Sequence, residues 1–166
     1  MIDRNDKKMN LITKDKKGFT LIELLAVIVI LAIIILIAAS NIGAMTQTAR
    51  KNVLAVEGET LISSAKTAYQ VDVMNGEFDS NTTVCYSLND LKNQGYYDKG
   101  DDKYHGSVLV TPSGTQYTYK VWISNNVVFL NKDGGHTSGN VKGKDADVGK
   151  TAASDNCQGV GTLMNR

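Results

Sequence analysis

The sequence predicts an α+β fold: a long N-terminal helix, hydrophobic in its first half and amphipathic in its second, packed on a small antiparallel β-sheet, with a C-terminal Gly-rich loop region. Three observations carry this. The stretch FTLIELLAVIVILAIIILIAA, Phe19 to Ala39, is almost purely apolar and runs without a break into a helical stripe that ends near Val73. Three short segments rich in Val, Tyr, Trp and Phe follow, separated by turn pairs, and residues 132–166 are polar and Gly-rich.

With 166 residues the chain has room for one membrane-associated segment and one small domain, and none for a second catalytic domain. Its charges nearly cancel, 18 Lys and Arg against 17 Asp and Glu, and residues 1–18 hold six of the basic and three of the acidic groups. The remainder is slightly acidic and lacks the dense basic patch that a nucleic-acid binder uses to neutralise phosphates, so no nucleic acid is expected as a partner.

The first element is the apolar run. Its 21 residues from Phe19 to Ala39, rising about 1.5 Å each, make a helix of about 31 Å, the thickness of a bilayer's hydrocarbon core. Lys16 and Lys17 mark the cytoplasmic end, which sends the larger C-terminal part outward. An ordinary secretory signal would share the basic start and apolar core, and Ala38-Ala39-Ser40 is a loose small-residue cleavage site after that core. A plain anchor would keep the helix uncut. Neither reading uses Glu23, a carboxylate inside the apolar run, where such groups are costly and usually functional.

The residues KKG followed by FTLIELL resemble the class III signal of type IV prepilins. The match is residue by residue: Gly18 before the cut, Phe19 as the new first residue, Thr20-Leu21-Ile22, then Glu23. The resemblance implies that a prepilin peptidase cuts between Gly18 and Phe19 and methylates the amino terminus of Phe19, and that Thr20 and Glu23 serve processing and assembly. In that family the carboxylate is thought to meet the amino terminus of a neighbouring subunit as helices gather in a filament core. A helix without a polar face, such as Leu24 to Ala39, must be buried, first in lipid and then among its own copies. The expected domains are a cleaved leader, 1–18, a transmembrane and filament-core helix, 19–43, and a globular head, 44–166, that includes the amphipathic half of the helix.

In the second half of the helix Leu54, Leu61, Ala65 and Ala68 share one stripe, with Ile62, Tyr69 and Val73 beside it. Arg50, Lys51, Glu57, Glu59, Lys66 and Asp72 fall largely elsewhere, on the expected solvent side. Asn75-Gly76 is the stop signal. Ser40 stands where the family usually has Pro, and the weak helix former Gly43 marks a candidate bend or unwound turn.

SLNDLKNQGYYDKG, from Ser87, reads as a short helix capped by Ser87, with Asp90 in its first turn and Gly95 past its end. A similar stretch ending in Gly-Tyr links helix to sheet in Gram-positive pilins and related pseudopilins. SVLVTP, TQYTYKVWIS and NVVFLN then form a three-strand meander, in which Trp122 is a packing residue rather than a ligand platform. The Gly-rich tail is expected as a surface loop region, which the resemblance associates with subunit contacts and antigenic diversity. Cys85 and Cys157, too far apart in sequence for a local redox or zinc motif, are either one disulfide or two separate thiols.

No cofactor, metal or catalytic residue is expected. GKDADVGKT has five residues between Gly143 and Gly149 where a phosphate loop needs four. His105 and His136 are isolated and expected on the surface, and Asp98, Asp101 and Asp102 lack the ordered spacing of a calcium loop.

The sequence is identified as a type IV pilin precursor, a major pilin of a Gram-positive, clostridia-like bacterium. The resemblance implies a non-enzymatic subunit that polymerises with itself into a helical filament for adhesion, surface motility or biofilm formation. Its partners are then the prepilin peptidase, the assembly platform protein and ATPases, and the cytoplasmic membrane that holds it, single-pass with the N-terminus inside, before it reaches the cell surface. A minor pilin or a pseudopilin of a secretion or DNA-uptake system would share the signal. A secreted binding protein or enzyme behind an ordinary signal peptide would instead begin near Ser40 or Asn41.

Overall fold

The structure is a computed structural model and describes residues 19–98, 103–130, 135–149 and 153–164. The chain divides into two units, residues 1–41 and 42–166. Helix α1, Leu21–Met74, supplies the described helical part of the first and opens the second.

In the first unit Leu, Ile, Val and Ala surround the helix, and every described side chain is exposed, with Phe19 at 89 % and Val29 still at 49 %. Backbone polar groups in this stretch are satisfied within the helix, as an apolar solvent demands. The backbone is helical through Ser40 and Gly43, so no turn is unwound there. The Ser40 hydroxyl donates to the Ile37 carbonyl at 2.9 Å, and Thr46 donates to Ile42 at 2.8 Å, so these side chains are satisfied by the helix itself.

In the second unit α1 buries Leu54, Leu61, Ile62, Ala65, Ala68 and Tyr69, the expected stripe. It ends in a Schellman motif: Gly76 adopts φ 76°, its N–H donates to the Val73 carbonyl at 3.1 Å, and the Glu77 N–H donates to the Asp72 carbonyl at 3.0 Å. Only a residue without Cβ takes that conformation at little cost, which is why the helix stops where Asn-Gly stands. The Tyr69 hydroxyl then donates to the carbonyls of Ser80 and Thr82, at 3.0 and 3.1 Å, and pins the following loop.

Strand β1, Val84–Ser87, leads directly into α2, Leu88–Asn93. Ser87 caps α2 in a capping box: its hydroxyl accepts from the Asp90 N–H at 3.0 Å, and the Asp90 carboxylate accepts from the Ser87 N–H at 3.4 Å. Strands β2, His105–Ser113, β3, Gln116–Ser124, and β4, Val128–Leu130, form the antiparallel meander. Shorter strands β5, His136–Thr137, β6, Asp147–Val148, and β7, Thr162–Leu163, extend it. Among the described residues the sheet has the order β6-β4-β3-β2-β1-β7, with β5 also paired to β3. It is mixed rather than purely antiparallel, because β7 runs parallel to β1.

Strand alternation splits the core in two. Val84, Tyr86, Val108, Val110, Val121 and Ile123 face α1, and the intervening Cys85, Leu109 and Trp122 form a second cluster with Ala153 and Cys157. Trp122 is therefore a packing residue, but beneath the C-terminal segment rather than the helix. That segment keeps most of its described residues exposed, as a surface loop region does, and is pinned to the sheet at a few points. It is joined to β1 by a Cys85–Cys157 disulfide. Ser124 Oγ accepts from the Ala153 N–H at 2.7 Å, Ser107 Oγ accepts from the Cys157 N–H at 3.0 Å, and Asp155 Oδ1 accepts from the Gly106 N–H at 2.9 Å. The apolar face left by Leu109 and Trp122 needs a cover, and the tail supplies it.

Three further expectations change. Glu57 and Asp72, assigned to the solvent side of α1, are 5 % and 2 % exposed, and His136 is buried rather than on the surface. Two phenols explain the carboxylates: Tyr86 donates to Asp72 Oδ2 at 2.8 Å and Tyr97 to Glu57 Oε2 at 3.2 Å. A buried acid with a hydrogen-bond donor is tolerated where a bare one is not.

Candidate functional site

The candidate site is the start of α1. Thr20 precedes the first helical residue, Leu21, and closes on Glu23 in both directions. Glu23 Oε2 accepts from the Thr20 N–H at 2.8 Å and from the Thr20 hydroxyl at 2.9 Å, and the Thr20 hydroxyl accepts from the Glu23 N–H at 3.3 Å. The Leu24 N–H donates to the Thr20 carbonyl at 3.2 Å, so the ladder of α1 begins at once. This is a capping box, and it satisfies two N–H groups that a helix start leaves without intrahelical partners. A carboxylate in the first turn also complements the positive end of the helix dipole.

The spacing Thr-x-x-Glu before an apolar run is itself the signal for such a box, and reading Glu23 only as an intruder in lipid misses it. The box gives Glu23 a local role that needs no second subunit. It leaves the carboxylate on an exposed helix end, beside an aromatic residue, Phe19, that is itself exposed. Chemically the arrangement offers a hydrogen-bonded anion at the head of an apolar helix.

Of the other residues singled out by sequence, Gly18, Lys16 and Lys17 lie outside the described residues, as do Asp101, Asp102, Lys150 and Thr151. His105 and Asp98 are exposed. Gly143 opens a 3-10 turn, Gly143–Asp145, that leads into β6, so among the described residues the strand-to-helix context of a phosphate loop is missing there. Cys85 and Cys157 come together as a disulfide, and both are fully buried in the apolar cluster around Trp122.

By length and composition α1 is able to cross a membrane. Residues 13–39 match the family described as the prokaryotic N-terminal methylation motif. The matched stretch contains the capping box and the whole apolar run, Phe19 to Ala39. No curated protein and no solved structure matches the chain. The motif supports a type IV pilin-like or pseudopilin precursor, a structural rather than catalytic kind of protein. It implies processing by a prepilin peptidase, anchoring in a membrane and handling by pilus-type assembly machinery.

Proposed function

We propose that the chain is the precursor of a type IV pilin, cut between Gly18 and Phe19, methylated at Phe19, and polymerised through the apolar half of α1 into a surface filament. The leader is residues 1–18, the membrane and filament-core helix 19–43, and the head 44–166. The reading extends to a major pilin of a Gram-positive, clostridia-like cell, serving adhesion, surface motility or biofilm formation. Before assembly the subunit is single-pass, with its N-terminus inside.

One observation carries the proposal: a helix apolar on all sides, headed by a single capped carboxylate, inside a methylation motif. An all-round apolar helix has no place in water and finds its burial in lipid or among copies of itself. After the cut the Phe19 amine is a cation. In the free subunit Thr20 satisfies Glu23; in the polymer the amine of a neighbouring Phe19 supplies the opposite charge. Leaving either member of such a buried pair alone costs about 3–5 kcal/mol, so the pair sets the register of an incoming subunit.

Glu23→Gln separates this role from capping. Gln completes a capping box as Glu does, but it carries no charge. Expressed as the sole pilin, Glu23→Gln is expected to be inserted and cut normally yet to yield few sheared filaments. Normal filaments from that variant would show that Glu23 serves the helix end alone. The same sheared fraction weighs a major subunit, which dominates it by mass, against a minor pilin or pseudopilin.

A further inference from the structure

Along one edge β3 is paired first by β4, through Ser124↔Phe129 and Ile123↔Leu130, and then by β5, through Val121↔His136 and Lys120↔Thr137. β6 covers the outer side of β4, through Val128↔Val148 and Phe129↔Asp147. Among the described residues no strand covers the outer side of β5. A cavity of about 470 Å³ opens at this gap, between β5, the end of β6 and the 3-10 turn Gly143–Asp145. That volume lies within the range of about 300–1,000 Å³ usual for small-molecule sites.

The lining is a mixture with a definite chemical preference. Phe129 contributes a half-buried aromatic ring, and His136 a buried imidazole. Thr137, Asn140, Asp145 and Asp147 contribute a hydroxyl, an amide and two carboxylates. Among the described residues the side chains of Asn140, Asp145 and Asp147 make no hydrogen bond or ion pair, so their acceptors are available to an incoming molecule. The carboxylates accept only, which calls for a ligand rich in O–H donors. The ring calls for a ligand with an apolar C–H face.

We infer that this cavity is a saccharide subsite taking a pyranose, whose ring C–H groups lie against Phe129 and whose hydroxyls donate to Asp145, Asp147 and Asn140. A metal ion fits less well, because among the described residues no group of three or more His, Cys, Asp or Glu is placed to hold one. A lone ammonium would leave the aromatic ring and most of the volume unused. The site belongs to the head, so it stands or falls independently of polymerisation.

The test presents the full-length chain, held in amine-oxide micelles free of sugar headgroups, to a microarray of immobilised mono- to trisaccharides that includes free and N-acetylated hexosamines. At least one neutral pyranoside is expected to retain the protein, and Asp147→Ala and Asn140→Ala, both at exposed positions, to weaken retention about tenfold or more. Three results would overturn the inference: no saccharide retained, retention unchanged in both variants, or retention confined to hexosamines with a free amine and abolished by N-acetylation.

Discussion

The Tyr86 hydroxyl reaches from β1 to the last turns of α1 and donates to Asp72 Oδ2 at 2.8 Å, with both residues buried. Tyr97 makes the matching contact with Glu57, four turns earlier on the same helix, at 3.2 Å. α1 is thus bound to the rest of the head by its apolar stripe and by two phenol–carboxylate contacts that flank it. The contacts also fix the rotation of the helix about its axis, since turning it would leave two acids in an apolar layer without donors.

Tyr86→Phe removes one donor and leaves the ring. It is expected to destabilise the head by about 1–3 kcal/mol, the cost of a buried polar group that loses a partner. The measurement is urea unfolding of a fragment that begins near Arg50, inside the compact unit, residues 42–166. That fragment is expected to be soluble and to unfold cooperatively. A midpoint for Tyr86→Phe equal to that of the parent would show that the contact adds nothing.

Reducing the Cys85–Cys157 disulfide, whose members are 72 residues apart in sequence, opens a long loop. The expected loss is about 2–4 kcal/mol. The hydrogen bonds from the Cys157 and Ala153 N–H groups to Ser107 and Ser124 remain, so the effect should be graded along the chain. Hydrogen exchange should quicken first at Thr162 and Met164, whose N–H groups donate to Thr83 and Cys85, while β2 and β3 keep their protection. Equal loss of protection in both regions would contradict this.

Burial, and then the Glu57 carboxylate beside it, raise the Tyr97 hydroxyl well above the ordinary phenol range. Burial raises Tyr69 and Tyr119 as well. A phenol that holds its proton more tightly when folded contributes stability that is complete below about pH 10, the value in an unfolded chain, and is lost as pH rises toward the folded value. The urea midpoint of the head should therefore fall steadily above about pH 10. Tyr97→Phe should fall less steeply, by up to one proton's share of the slope. Parallel curves would show that Tyr97 titrates alike in both states.

Much of the fold was legible because its signals are local. The stripe from Leu54 to Tyr69, the Gly76 stop, the Ser87 cap and the alternation of β2 and β3 each depend on neighbours within a turn or a hairpin. Glu57 and Asp72 misled because their donors, Tyr97 and Tyr86, lie 40 and 14 residues away in sequence, and periodicity cannot see them. The anchoring of the tail was hidden for a similar reason. Its Gly and Asn content marks turns correctly, but nothing local says that Ala153 and Cys157 will cover Trp122. At the candidate site Glu23 stood out by its polarity in an apolar run, while its pairing with Thr20 was equally local and followed from a spacing that is easily passed over.

Gly18→Val tests processing apart from assembly. A peptidase cutting at this junction must approach the backbone closely, and a branched side chain obstructs it. The variant is expected to accumulate as an uncut, membrane-held precursor, seen as a mass larger by the leader. Normal amounts of protein beginning at Phe19 would remove Gly18 from the account.

The most direct measurement is the intact mass and N-terminal sequence of the protein sheared from the cell surface. Processing at the matched motif followed by polymerisation requires a chain that begins with N-methylated Phe19 and retains the whole apolar helix. A chain beginning near Ser40 or Asn41, released without that helix, would contradict the account, because no filament core would remain to be built from it.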